Sequence, residues 1–186
     1  MESSSKKRGV SKAEWLDAGL KTLAGGVVSD VKVDSLARQL GVARSGFYWH
    51  FLNRRELLLA MLDHWLHEST EVVVNFLTQE ELGGKSRLLA AAHMIHDYRL
   101  ARFDFGIRQW AREDREAAKV VRKVDRLRLR FVSEAFAELG FEGEDLEARA
   151  RTFMVYQSWE PFYTADLSAK KRRQLIERHV DLLTRK

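Results

Sequence analysis

The sequence predicts an all-α protein, and three observations support that prediction. Apolar residues recur at helical spacing almost from one end of the chain to the other, which indicates about nine helices, and no segment shows the alternation of a strand. The 186 residues include one proline, Pro161, a residue type that interrupts helices. Hydrophobic residues make up 45% and charged residues 32% of the chain, which is typical of a folded globular protein rather than a disordered one.

The first helix is predicted to begin after Ser11 and to end at Gly25 and Gly26. Ser11 and Glu14 have the spacing of a capping box, in which each side chain binds the other residue's backbone N–H. Glycine favours the end of a helix because it tolerates the left-handed conformation found there. The apolar face of this helix carries Trp15, Leu16, Gly19, Leu20 and Leu23.

Two short helices are predicted next, over Val33–Leu40 and Arg44–His50, with Gly41 in the turn between them. Two short helices joined by such a turn can cross near a right angle, which lets the second lie in the major groove of DNA. The apolar residues that would hold this pair against the first helix are Leu36, Ala37, Leu40, Val42 and Phe47.

A helix of about 25 residues, or roughly 38 Å, is predicted to follow. Asn53 and Glu56 form its N-terminal capping signature, and the tripeptide Leu82-Gly83-Gly84 interrupts the chain after it. The remaining helices are predicted over Ser86–Ala101, Asp104–Trp110, Asp114–Leu139, Glu144–Thr164 and Ser168–Thr184. Pro161 is expected to kink or end the helix that contains it.

The excess positive charge lies in the first third of the chain. The first 55 residues contain ten Lys and Arg residues and five Asp and Glu residues, whereas the other 131 residues contain 22 of each type. Such an uneven distribution is typical of a protein whose N-terminal part binds a polyanion. An excess of five charges, taken alone, is as compatible with a chance distribution as with polyanion binding.

The second short helix carries side chains that suit contact with double-stranded DNA. Arg44 and Ser45 can bind a base edge or a phosphate, and Tyr48 and His50 suit phosphate oxygens. Phe47 and Phe51 are predicted to be core. Lys32, Arg54 and Arg55 lie at predicted helix N-termini, where backbone N–H groups also attract phosphate. The full set of predicted DNA contacts is Lys32, Arg44, Ser45, Gly46, Tyr48, Trp49, His50, Arg54 and Arg55.

The N-terminal sequence resembles the TetR/AcrR family of bacterial regulators. The resemblance is carried by LARQLGVARSGFYWHFLNRRELL (Leu36–Leu58) and by WLDAGLKTLAGG (Trp15–Gly26), and the segment Phe103–Phe131 is similar to one branch of that family. The family's Gly-Val turn, Phe-Tyr pair, following Phe and basic residue correspond to Gly41-Val42, Phe47-Tyr48, Phe51 and Arg54 or Arg55. One difference is Lys32, where the family usually has a Thr or Ser that caps the second helix, because a lysine side chain cannot act as an N-cap.

The resemblance implies a ligand-responsive transcriptional regulator, most often a repressor, and not an enzyme. It implies a homodimer joined through the last two helices, a palindromic operator, and release of DNA when a small molecule binds among the middle helices. The expected parts are a flexible basic arm (residues 1–9), a helix-turn-helix head (residues 10–55) and a body for ligand binding and dimerisation (residues 56–186). The lack of cysteine and of an apolar run of about 20 residues suits a cytoplasmic protein without a membrane partner.

The body is rich in aromatic residues, which predicts a cavity for an apolar or aromatic effector. For any single aromatic residue, ordinary core packing is an equally good interpretation. The candidate ligand-binding residues are Trp65, His93, His96, Phe103, Phe105, Arg108, Trp110 and Trp159. Filling the cavity by Ala91→Phe or Gly106→Leu is expected to alter the ligand response without disturbing the head.

Two histidine clusters leave an alternative function open. His64 and His67 precede Glu68, and His93 and His96 precede Asp97, at spacings that place each set on one helix face, where it could bind zinc. No H-E-x-x-H motif is present, so packed or cavity-lining histidines are the favoured interpretation, and no metal or cofactor is predicted. The alternative is a helical binding or metal-dependent bundle that does not bind an operator. A basic run, Arg122–Arg130, is predicted to be a solvated face partly neutralised by Asp125 and neighbouring acids.

Overall fold

The computed structural model describes residues 9–163 and 167–186, without the side chains of residues 161–163. The predicted all-α fold is confirmed, since this part of the chain forms nine α-helices and no strand. Residues 1–8 of the predicted arm and Thr164 lie outside the described residues. The helices are α1 (Lys12–Gly25), α2 (Val33–Gln39), α3 (Arg54–Leu66), α4 (Val72–Gln79), α5 (Gly84–Asp97), α6 (Asp104–Trp110), α7 (Arg115–Glu138), α8 (Gly143–Tyr163) and α9 (Ala169–Leu183).

The helix ends follow the capping residues seen in the sequence. The Ser11 hydroxyl accepts a hydrogen bond from the Glu14 backbone N–H, and the Glu14 carboxylate accepts one from the Ser11 backbone N–H at 2.7 Å. The Asn53 side chain caps α3 by accepting from the Glu56 backbone N–H at 3.0 Å. Lys32 is the N-cap residue of α2 and makes no side-chain capping bond, as expected for lysine.

The predicted long helix is continuous from α3 to α4, but it is not uniform. Residues His67–Glu71 between them are π-helical. A π-helical turn holds one extra residue, so it rotates the following side chains relative to a regular α-helix. Ser69 and Thr70 of this turn are buried, which places two hydroxyl groups in the interior.

Helix α5 ends four residues earlier than predicted. Arg99 has a φ of 52°, a left-handed conformation that ends the helix after Asp97 and is uncommon for any residue other than glycine. A short 3₁₀ helix, Leu100–Phe103, then leads directly into α6 and buries Ala101 and Phe103. Helix α8 continues past Pro161 and ends at Tyr163, so the proline lies in its last turn.

Two groups of buried residues form the core. The first joins the head to the near part of the body, because Trp15 and Leu36 pack in the same cluster as Met61, Trp65 and Ile107. The second lies among α4, α5, α8, α9 and the second half of α7. The core is thus continuous across the predicted boundary at residue 55. None of the described helices is both long enough and apolar enough to cross a membrane.

Candidate nucleic-acid interface and buried cavity

The segment Arg44–Trp49, called the recognition segment below, is held against the head by one aromatic side chain. Phe47 is fully buried, with its ring 5.4 Å from that of Trp15 and 5.2 Å from that of Phe51. Both Phe47 and Phe51 are core residues, as predicted. The segment is a 3₁₀ helix, and it is joined to α2 through Gly41, whose φ of 67° suits glycine.

The recognition segment exposes large side chains to solvent. Trp49 is 86% exposed and Tyr48 is 51% exposed, and Leu52, just after the segment, is 82% exposed. Exposed apolar groups that lie together commonly mark an interaction surface. Ser45 is also exposed, and no atom lies within 4 Å of where a Cβ of Gly46 would be. Sequence reasoning missed Leu52, because an apolar residue just before a helix cap is usually packed.

Arg44 is positioned by residues of both short helices. Its guanidinium lies 3.3 Å from the Asp34 carboxylate of α2 and donates to the Tyr48 hydroxyl at 3.1 Å. These partners raise the pKa of Arg44, with the hydrogen bond to Tyr48 as the largest cause. The side chain is 58% exposed. A permanently charged, pre-oriented guanidinium of this kind can exchange Asp34 for a phosphate or a guanine.

His50 and Lys32 differ in their surroundings. His50 is half-buried, and its Nε2 lies 2.8 Å from the carbonyl oxygen of Val10. This contact joins the recognition segment to the start of the described chain. Lys32 is exposed at the N-terminus of α2, where its charge is available to a phosphate.

Arg54 and Arg55 each bind a partner within the protein. Arg54 donates to the carbonyl oxygens of Val31, at 2.6 Å, and Val28, at 2.5 Å, and so stabilises the loop before α2. Arg55 pairs with Asp114 at 2.5 Å, and this hydrogen bond is the largest cause that lowers the pKa of Asp114. Asp114 also caps α7, so the pair joins the head to the body. Contact of either arginine with DNA stays a prediction.

A cavity of about 50 Å³ lies in the body among α4, α5, α7 and α8. Its wall is mainly apolar, formed by Val73, Val74, Ala91, Ile95, Leu100, Ala101, Phe131, Val132, Phe153 and Met154. The polar side chains on it are Ser69, Thr70, Arg128, Gln157 and Ser158. A space of this size holds only a few water-sized groups, at roughly 10–15 Å³ each.

Among the described residues, one charged side chain, Arg128, lines the cavity and is paired with a carboxylate behind the wall. Arg128 of α7 binds the carboxylate of Asp104, the first residue of α6, at 2.5 Å, and Asp104 also accepts from the Trp65 indole N–H at 3.0 Å. Arg128 donates in addition to the Thr70 hydroxyl at 2.9 Å and to the Ser69 hydroxyl at 3.1 Å. The π-helical turn therefore supplies two of the oxygens that hold a buried guanidinium.

The eight candidate ligand-binding residues do not come together around this cavity. Three of them, Trp65, Phe103 and Trp110, are buried in the core that joins head and body. Arg108 and Trp159 line a shallow surface groove, with the Phe105 ring 6.1 Å from that of Trp159. His93 contacts Arg173, and His96 lies 4.0 Å from Glu160. The face of α5 that carries Ala91 and Ile95, rather than its histidines, lines the cavity.

Two further expectations need correction. Gly106 does not face the cavity but packs against α1, since a Cβ on it would lie 2.6 Å from the carbonyl oxygen of Leu23. A larger residue there would therefore disturb the head. Asp125 binds Arg108 through both oxygens, at 3.0 and 2.5 Å, rather than the basic run of α7. Two cations of that run are neutralised by other nearby acids, Lys123 by Glu71 and Arg128 by Asp104. Within the described residues, no three His, Asp or Glu side chains are grouped as a metal site would require.

Comparison with known proteins finds a family match for the N-terminal segment. Residues 16–61 match the family described as "Bacterial regulatory proteins, tetR family". Over 47 residues the chain is 43% identical to the HTH-type transcriptional regulator SrpR of Pseudomonas putida, a match that covers 25% of this chain and 22% of SrpR. The match thus spans less than a quarter of that relative's length. The family match over residues 16–61 contains α2 and the recognition segment.

The fold of the described residues is similar to that of solved transcriptional regulators. A regulator from Rhodococcus sp. Rha1 superposes with a TM-score of 0.70 at 16% identity, over 94% of each chain. FadR from Bacillus subtilis, solved with stearoyl-CoA, gives 0.67 at 17% identity, and BioQ, solved with its double-stranded DNA operator, gives 0.52 at 24%. Each of the latter two matches covers 94% of this chain and 98% of the other.

Proposed function

We propose that this chain is a TetR-family transcriptional repressor that a small molecule releases from DNA; the match of its N-terminal segment and the similarity of its fold support the proposal. The observation that carries this proposal is the recognition segment, which exposes Arg44, Tyr48 and Trp49 on the part of the chain with excess positive charge. Arginine and tyrosine are suited to base edges and phosphates, and Trp49 offers an apolar surface to sugar or thymine methyl groups.

Similarity to BioQ supports binding to double-stranded DNA. BioQ was solved on its operator, and its fold covers almost all of this chain. If this head docks in a comparable way, the recognition segment enters the major groove, while Lys32 and the N-terminus of α3 approach the phosphates on either side. The predicted contacts of Ser45, Gly46, Tyr48, Trp49, His50, Arg54 and Arg55 belong to this proposal.

We propose that the protein acts as a homodimer through α8 and α9. Helix α8 exposes Val155 by 59% and Trp159 by 45%, and α9 exposes Leu182 by 54%. Val155 and Trp159 are four residues apart, so they share one face of α8. A two-fold dimer would cover such a face with its own copy and present two recognition segments to a palindromic operator. Light scattering on the purified protein should report a dimer at micromolar concentration, and a monomer would contradict this part of the proposal.

The cavity at Arg128 is the proposed effector site. It meets α6 through Asp104, and α6 meets the head through Gly106, so a ligand that moves α6 would also move α1. FadR, solved with stearoyl-CoA, supports a small-molecule effector for a protein of this fold. The ligand must bind the DNA-free conformation more tightly than the DNA-bound one, because a ligand with equal affinity for both would not shift the equilibrium between the two conformations.

DNase footprinting of the DNA that flanks the protein's own gene tests the proposal most directly. We expect protection of an approximate palindrome whose half-sites are about one helical turn, some 34–36 Å, apart. Absence of any protected site, with correctly folded protein, would contradict the proposal and favour the alternative of a helical bundle without operator binding. We also propose that the protein has no enzymatic activity and acts in the cytoplasm, where a regulator of this kind would meet its operator.

A further inference from the structure

We propose that the cavity binds an uncharged, mainly apolar molecule with one hydrogen-bond acceptor, and that the side-chain amide of Gln157 donates to that acceptor. This inference deepens the proposed function and rests on it, since it names the chemical class of the effector. It depends on three properties of the cavity. Among the described residues, one hydrogen-bond donor on its wall has no acceptor, and its one charged side chain is neutralised by a carboxylate. Part of its wall is also shared with a surface groove.

The unsatisfied donor is Nε2 of Gln157. The side chain lies on the cavity wall and is only 5% exposed, and its Nε2 has no hydrogen-bond partner within the described part of the chain. Burial of an amide N–H without an acceptor costs free energy, so such groups are rare unless a ligand or water completes them. A ligand carbonyl or ether oxygen in the cavity would accept this hydrogen bond.

The two hydroxyl groups of the π-helical turn, those of Ser69 and Thr70, already have partners. The Thr70 hydroxyl accepts from Arg128, and the Ser69 hydroxyl accepts from Arg128 and donates to the Trp65 carbonyl at 2.5 Å. These bonds fix the π-helical turn but leave it little capacity for a ligand. Ser158 also lines the cavity but is only half-buried, whereas Gln157 is buried with its amide Nε2 lacking an acceptor among the described residues, so Gln157 is the group that we expect to select a polar atom of the ligand.

The charge balance of the cavity disfavours an ion. Arg128 is the one ionisable side chain among the described residues that line it, and Asp104 at 2.5 Å neutralises it. Asp104 is 2% exposed and also accepts from Trp65, so it has little freedom to leave Arg128. A carboxylate in the cavity would lose its hydration without gaining an unpaired positive charge. The structure thus favours a ketone, ester or lactone over the corresponding acid.

Gln157 also indicates how the ligand enters. Together with Ile95 it lines both the cavity and an open polar groove that contains Arg99 and Arg102. Because the cavity measures only about 50 Å³, a ligand of more than a few atoms must separate α5 from α8 at this wall. Binding would therefore begin where the amide is located.

Isothermal titration calorimetry with two probes of equal chain length, 2-octanone and octanoate at pH 7.5, tests the inference on the full chain. We expect 2-octanone to bind at least about tenfold more tightly than octanoate, since burial of an unpaired charge costs more than burial of a carbonyl. Gln157→Leu keeps the size of the side chain and removes the donor, and should weaken 2-octanone binding about five- to tenfold. The matched control is Gln79→Leu at the exposed end of α4, which should leave binding unchanged.

Three results would overturn the inference, namely no binding of 2-octanone, tighter binding of octanoate, or unchanged 2-octanone affinity in folded Gln157→Leu. If Gln157→Leu does not fold, Gln157→Met provides the same test with a more flexible side chain. Footprinting on the operator, without any probe, reports separately on the proposed function. A protein that binds 2-octanone through Gln157 but protects no DNA would contradict the repressor proposal and leave this inference standing.

Discussion

The α-carbon of Gly106 packs directly against the carbonyl oxygen of Leu23, so that a Cβ on Gly106 would lie only 2.6 Å from that oxygen. Gly106 belongs to α6 and Leu23 to α1, the first helix of the head. Two residues before Gly106, Asp104 binds Arg128 at the edge of the cavity. Helix α6 thus contacts both Arg128, which lines the proposed effector site, and the proposed DNA-binding head, within a span of three residues.

Substitution of Gly106 should change the head without altering any residue proposed to contact DNA. In Gly106→Ala the new methyl group meets backbone rather than a flexible side chain, so α6 and α1 must move apart, at an expected cost of about 1–3 kcal/mol in the free energy of unfolding. Operator affinity should change even without effector. Thermal unfolding and fluorescence anisotropy with operator DNA measure the two effects. Gly25→Ala is the control, because nothing lies within 4 Å of its Cβ position, and equal behaviour of the two variants would contradict coupling through α6.

Loss of the Arg44 side chain should weaken DNA binding and leave folding intact. Arg44 is 58% exposed, and its partners Asp34 and Tyr48 are exposed as well. Arg44→Ala should therefore cost about 1–3 kcal/mol of operator binding if the guanidinium contacts a base, and it should relax specificity at one position. Anisotropy titrations against operators with single base changes measure both. Lys21→Ala removes another exposed cation of the head, paired with Asp17, and should have little effect, whereas a similar loss in both variants would indicate only general attraction to DNA.

Removal of one member of the buried pair Asp104–Arg128 should destabilise the protein. Asp104→Asn keeps the size of the side chain but leaves Arg128, which is 17% exposed, without its counter-charge. We expect a loss of about 3 kcal/mol in the free energy of unfolding, measured by urea denaturation. The double variant Asp104→Asn/Arg128→Met should lose less than the sum of the single changes, since no unpaired charge then remains. Lys119→Gln, in an exposed pair, should cost no more than about 1 kcal/mol.

Stability should decrease as the pH falls from about 6.5 to about 4, in part because of His179. Burial lowers the pKa of His179 to about 4, below its ordinary value near 6.5 in an unfolded chain. Between these values the unfolded chain binds a proton that the folded protein does not, so acid favours unfolding there, and the stability is complete only above about 6.5. His179→Phe retains the stacking on Tyr156, whose ring centroid is 3.8 Å away, and removes the titration. Its melting temperature should depend less on pH between 7.5 and 4.5 than that of the unchanged protein, and an identical dependence would contradict this role of His179.

Local signals in the sequence were sufficient to predict the helices and the head. Ser11 with Glu14, and Asn53 with Glu56, lie three residues apart and form caps through their own backbone, so no distant contact is required. The helical spacing of Phe47 and Phe51 likewise marks them as core. The recognition segment could be identified for the same reason, because it is short, adjacent to α2 and bounded by a glycine turn.

Only the tertiary structure decided which residues form the cavity and how it is joined to the head. Arg128 lies 24 residues from Asp104 and 58 from Thr70 along the chain, and its position depends on a π-helical turn that has no distinctive sequence pattern. The sequence determined which side chains can face inward, through periodicity and capping within single helices. The packing of helices against one another, which depends on contacts between distant residues, selected Gln157 and Arg128 for the cavity and Gly106 for the contact with α1.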